Sequence, residues 1–134
     1  MSVRRSARRS ATAWASAVER YRRAVDRYHE SVRMMPDHNL RRELTHLAAP
    51  LEGVLDDVEQ AAARRKTYDT DRAEEVLANI HRAATLCAHA TEAAEMANDA
   101  TRHHEVDDVA RCLDTVRLLI KKIGEIGDQV NPQS

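Results

Sequence analysis

The stretch "NLRRELTHLAAPLEGVL" (Asn39–Leu55) decides how the chain folds. Leu40, Leu44, Leu47, Leu51 and Val54 recur in steps of four and three, which places them on one face of a helix with a 3.5-residue repeat. Pro50 sits inside that stripe, where a proline lacks the N–H that a helix needs and its ring presses on the carbonyl four residues back. The leucines keep phase through the proline. This predicts one continuous helix over about 38–66, kinked at Pro50, with the His46 carbonyl freed from its usual partner. A complete break, giving five helices, is the alternative.

Working outward, three further stripes carry the same repeat. The first runs Ala7, Ala11, Trp14, Val18, Tyr21, Val25, Tyr28, Val32 and Met35. The next is Ala73, Val76, Ile80, Ala83, Cys87, Ala90, Ala94 and Ala97, and the last is Val106, Val109, Leu113, Val116, Ile120, Ile123, Gly127 and Val130. The alternation of two expected of a half-buried strand is found nowhere. Pro36 closes the first helix and Asp37 is placed to cap the second. Thr70 or Asp71, with Glu74 after it, is placed to cap the third, whereas "TRHHEVDD" (101–108) holds neither glycine nor proline and marks its boundary weakly. The expected helices are about 5–35, 38–66, 70–102 and 105–130. Short connections between four such helices predict an all-α, antiparallel up-down-up-down four-helix bundle over residues 11–130. The aromatic stripe of Trp14, Tyr21 and Tyr28 belongs in its core, with a second subunit as the other surface it can face.

Composition agrees with long helices. Three glycines, three prolines and no phenylalanine in 134 residues leave little material for turns or strands, and 32% charged residues leave ample solvated surface. The net charge of −1 gives the whole molecule no preference for nucleic acid or membrane. Two cysteines, Cys87 and Cys112, show no pairing motif, and the bundle places them about 15 Å apart along its axis by the helical rise. Lack of a continuous apolar core in "MSVRRSARRSATAWASAV" (1–18) argues against an export signal, so a cytoplasmic protein is expected.

Several chemical signals can be tested against this frame. Glu43 and His46 have the Glu-x-x-His spacing of di-iron bundles of the ferritin-like class, which need two such motifs and two more carboxylates aimed at the axis. The motif occurs once, and no stripe position in any helix is Asp, Glu or His. His29, His46 and His89 fall at similar heights once the helices fold back, with Glu30, Glu43 and Glu92 near them in sequence. They form the one candidate surface metal cluster, of a kind zinc would take. "THLAAPL" resembles the dimerisation helix of sensor kinases, but the fifth residue before Pro50 is Thr45. His46 is one residue out of register, a rotation of about 100° on a helix. The Arg82 to His89 spacing is similar to the Arg-then-His pattern of HEPN-type ribonucleases, as are Arg41 to His46 and others from Arg22, Arg23 and Arg33, so the pattern discriminates nothing. No catalytic constellation, cofactor site or small-molecule substrate follows from these residues.

Arg4, Arg5, Arg8 and Arg9 are the remaining asymmetry. Cations at a helix N-terminus are disfavoured by the dipole, so residues 1–10 are expected to be a mobile basic arm. Such an arm is an anion-binding candidate for nucleic acid or an anionic membrane. The function that fits the whole chain is a non-enzymatic helical interaction or structural module, with a protein partner or a second copy (a homo-oligomer) on one helix face, and anion binding by the arm is the alternative.

Overall fold

The computed structural model describes the main chain of residues 2–132 and the side chains of residues 10–132. It is all-helical among the described residues: α1 (Ser2–Arg33), α2 (His38–Leu47), α3 (Pro50–Ala63), α4 (Thr70–Arg102) and α5 (Val106–Val130), with a short 3-10 turn at Arg65–Thr67. Four helical segments pack together, α2 and α3 in succession forming one of them. Hydrogen bonds between the helices fix their directions. Tyr28 meets Leu44 while Tyr21 meets Leu51, so α1 runs against the α2–α3 segment. Arg20 reaches Thr85 and Ser31 reaches Glu95, so α1 and α4 run the same way. Arg117 bonds Glu43 and Asn131 bonds Asp57, so α5 runs with α2–α3. Because α1 packs on α3 and α4, and α5 packs on the same two, α1 and α5 stand at opposite corners.

The stripe residues supply the core. Trp14, Val18, Tyr21, Val25, Tyr28, Val32 and Met35 are all buried, as are Val76, Ile80, Ala83, Cys87, Ala90, Ala94 and Ala97 on α4. α4 packs on both α1 and α5, and it buries Ala84, Ala93 and Ala100 as well. Small side chains on more than one face are what a helix between two neighbours needs, because each methyl group lets a backbone approach closely. At one end of the bundle Trp14 stacks on Tyr68, with centroids 6.0 Å apart.

The segment expected as one kinked helix over 38–66 is interrupted instead. α2 ends at Leu47, Ala48 and Ala49 form a turn, and α3 restarts with Pro50 in its first turn. Pro50 has no N–H to give His46, so the chain tightens: the Ala49 N–H bonds the His46 carbonyl at 3.2 Å and the Leu51 N–H bonds Ala48 at 2.9 Å. The His46 carbonyl is therefore satisfied rather than freed. Ala48 is fully buried at the turn, while Leu47 of the expected stripe is half-buried. Two phenols brace this break. Tyr28 Oη donates to Leu44 O at 2.8 Å on one side of it, and Tyr21 Oη donates to Leu51 O at 3.0 Å on the other. Both rings are fully buried, and burial pushes both hydroxyls well above the ordinary phenol range, so they remain neutral donors.

Caps follow the sequence in one place and depart from it in two. Asp37 accepts from the Leu40 N–H at 2.8 Å, as expected. Asp69, not Thr70 or Asp71, caps α4: its extended backbone (φ −71°, ψ 172°) lets its carboxylate accept from Arg72 N–H at 2.8 Å. At the end of α4, His104 takes a left-handed conformation (φ 59°) and the chain closes with Glu105 N–H on Ala100 O and His104 N–H on Thr101 O. That is the two-bond helix stop usually built on glycine, made here by a histidine.

Two measurements check this account. Replacing Tyr28 with Phe removes a buried hydrogen bond and should cost about 1 kcal/mol, seen as a lower urea midpoint with unchanged slope. The helix glycines should split by sign. A Cβ at Gly127 would lie 2.9 Å from Asp57 Oδ2 and 3.0 Å from Val54 Cγ2, so Gly127→Ala should lower the melting temperature. Nothing lies within 4 Å of a Cβ at Gly53, so Gly53→Ala should gain about 0.5–1 kcal/mol.

Candidate functional site

The core contains little chemistry: besides the two phenols and the Cys87 thiol, Thr91 and Asn131 are its buried polar side chains among the described residues. Thr91 donates to the Cys87 carbonyl in its own helix. Asn131 donates to Asp57 and Gln60 at 3.0 Å each, tying the end of α5 to α3. Any working site therefore lies on the surface.

The structure does not gather the three candidate metal histidines. His29 pairs with Glu52 across α1 and α3 at 2.5 Å, while His46 and His89 are exposed on α2 and α4. Glu30 is exposed and Glu43 pairs with Arg117. Among the described residues no group of three or more His, Cys, Asp or Glu is arranged to hold a metal ion. Arg82 and His89, the ribonuclease-like pair, are both exposed. The side chains of Arg4, Arg5, Arg8 and Arg9, the anion-binding candidates, lie outside the described residues. No helix among the described residues is long and apolar enough to cross a membrane.

A surface that sequence reasoning missed stands at the end of the bundle remote from Trp14. The last stripe was expected to be core from Val106 onward, but only its second half is. Val116, Ile120, Ile123 and Val130 are buried, whereas Val109 and Leu113 are half-buried and Val106 is 76% exposed. The α2–α3 segment starts at His38 and meets α5 through Arg117 and Glu43, leaving the first turns of α5 without a covering helix on that side. A groove opens on each flank of those turns. One, of about 540 Å³ between α2 and α5, is lined by Leu40, Val109, Leu113 and the Val106 side chain, with Asp37, Glu43 and Glu105 at its edge. The other, of about 840 Å³, lies between α4 and α5.

The larger groove has an apolar lining and an acidic rim. Ala93, Ala100 and Cys112 lie among its lining residues, and Met96 stands beside them 62% exposed. Glu92, Glu95 and Asp99 follow one another at i, i+3 and i+7 on α4, so they share a face. Glu105 and Asp108 supply carboxylates from the other wall. Arg111 is the lone guanidinium among the lining residues, and it is already bonded to Asp108. Glu105 is held above the usual carboxylate range by its hydrogen bond with Asp108, with that carboxylate's charge acting in the same direction. The sequence did carry a trace of this wall: "EVDD" (105–108) opens α5 with three acids around one valine.

The two cysteines separate cleanly. Both are free; Cys87 is fully buried, and burial, assisted by the charge of Glu52, pushes its thiol up to about 12. Cys112 is half-buried in the acidic groove. Native protein should therefore take up one maleimide per chain, at Cys112, and a second only in denaturant; mass spectrometry of the labelled peptides reads this directly. Comparison with protein-family models, with curated proteins and with solved structures finds no match to this chain, so its function has to be argued from this surface.

Proposed function

We propose that the chain is an up-down-up-down four-helix bundle, cored by heptad-like stripes, that works as a non-enzymatic interaction module whose partner is another polypeptide or a second copy of itself. The observation that supports this reading is the uncovered start of α5. Val106, Val109 and Leu113 continue an apolar stripe past the point where the bundle covers it, and a groove lies on either side. Exposed Met96 adds a flexible, polarisable contact of the kind adaptable binding surfaces use. An apolar helix face bordered by charge is the surface pattern that protein partners cover. Two unpaired cysteines favour a reducing, cytoplasmic setting for it.

A photo-crosslinking amino acid at position 106, introduced into the full chain in its native cells, tests the reading. Adducts to a polypeptide should form at 106 and be absent at position 23, whose arginine is 79% exposed on the solvated side of α1. Equal or absent adducts at the two positions would remove the interaction reading.

A further inference from the structure

The acidic groove and the arginine-rich segment lie at opposite ends of the molecule. Trp14 is the first buried residue of α1 among those whose side chains are described, stacked on Tyr68, and α1 extends beyond it to Ser2. Twelve residues at 1.5 Å each carry the helix about 18 Å past that contact. The groove sits at the other end, at the level where Ser31 bonds Glu95. From Trp14 to Ser31 is about 25 Å of helix in the wrong direction. A chain whose α1 stays helical from Ser2 therefore cannot place its own arginines in its own groove.

A second copy can. "VRRSARRSA" (3–11) sets Arg4 with Arg8 and Arg5 with Arg9 at i, i+4, and Ala7 and Ala11 continue the apolar stripe beside them. The groove offers the complement: Glu92, Glu95 and Asp99 along about 10 Å of α4, and small apolar side chains lining the space between the walls. Guanidinium groups match carboxylates in two-bond geometry, which suits arginine rather than lysine at these positions. Docking would also relieve two internal conflicts. The first turn of α1 holds no acid to balance its dipole, and Glu105 and Asp108 face one another with a single arginine between five carboxylates. We infer that the N-terminal arginine segment of one copy docks in the α4–α5 groove of the next, head to tail. The inference rests on the interaction-module reading and names its partner. Each copy in such a contact keeps one free arm and one free groove, so the assembly grows into a ring if the rotation closes and into a filament if it does not.

Sedimentation velocity of the full chain tests this. The unmodified protein should associate in about 0.1 M salt, where screening acts over about 10 Å, and do so at least tenfold more weakly in about 1 M salt, where it acts over about 3 Å. Reversing the arm (R4E/R5E/R8E/R9E) or the groove (E92R/E95R/D99R) should each give a monomer. Combining both reversals in one chain should restore association, because the charges again match. Helix content by circular dichroism checks each variant's fold, and the milder E95Q/D99N pair, expected to weaken association at least tenfold, serves if the groove reversal does not fold. The proposal is overturned if the unmodified chain is monomeric at every concentration, if arm reversal leaves association intact, or if the folded double reversal stays monomeric. It is overturned as well if nuclease treatment dissolves the assembly, which would give the arm to nucleic acid. Crosslinks from position 106 to an unrelated polypeptide alone would remove the self-docking and leave the interaction module standing.

Discussion

Two phenol hydroxyls hold the wall that the rest of the bundle leans on. Pro50 divides the second segment, and across the division three-residue turns replace the continuity of a regular helix ladder. Tyr28 on Leu44 and Tyr21 on Leu51 supply that continuity from outside, from a neighbour long enough to span both halves. The two residues are seven apart on α1, and so are the carbonyls they reach, which is the spacing of successive positions on one helical face. α1 thus works as a splint. A buried phenol without a partner would be costly, so the same two contacts that align the segment also make tyrosine tolerable in this core.

With that wall fixed, the placement of α4 follows from side-chain volume. It packs on α1 and on α5, and alanine at most of its buried positions lets both neighbours come close. A helix used on two faces lacks a single apolar stripe, and α4 carries its charge on the narrow sector left over. At its C-terminal end that sector presents Glu92, Glu95 and Asp99 as one row. The acidic rim of the groove is therefore a consequence of how α4 is used, joined to the acids that open α5.

Much of the core was legible in the sequence, because a 3.5-residue repeat leaves few choices of inward face: from Trp14 to Met35, and from Val76 to Ala97, every residue of the stripe is buried. What failed did so for identifiable reasons. Continuity of the leucines through Pro50 does not require continuity of the backbone, because a tight turn over Ala48 and Ala49 also keeps the stripe on one side. The cap of α4 was placed one or two residues late because Asp69, Thr70 and Asp71 are all competent, and only backbone geometry chooses among them. The stop at His104 was invisible because it uses a left-handed histidine where sequence rules look for glycine. Shared height along the bundle does not by itself gather side chains, and His29 is taken by Glu52. The groove was missed for a deeper reason: periodicity says which face of a helix is apolar and says nothing of whether a neighbour extends far enough to cover it.

That last limit is where the fold and its surface meet. The stripe of α5 is as regular at Val106 and Leu113 as at Ile120 and Val130, yet only the second pair is enclosed. What differs is the opposing wall. Beyond Ala48 that wall is α3, a helix continuous with the splinted core, and it encloses α5 as far as Asn131. Before Ala48 it is the short α2, which touches α5 through an ion pair on the rim and leaves a groove above Leu40. How far its neighbours extend thus decides which half of α5 is core and which half lines the grooves.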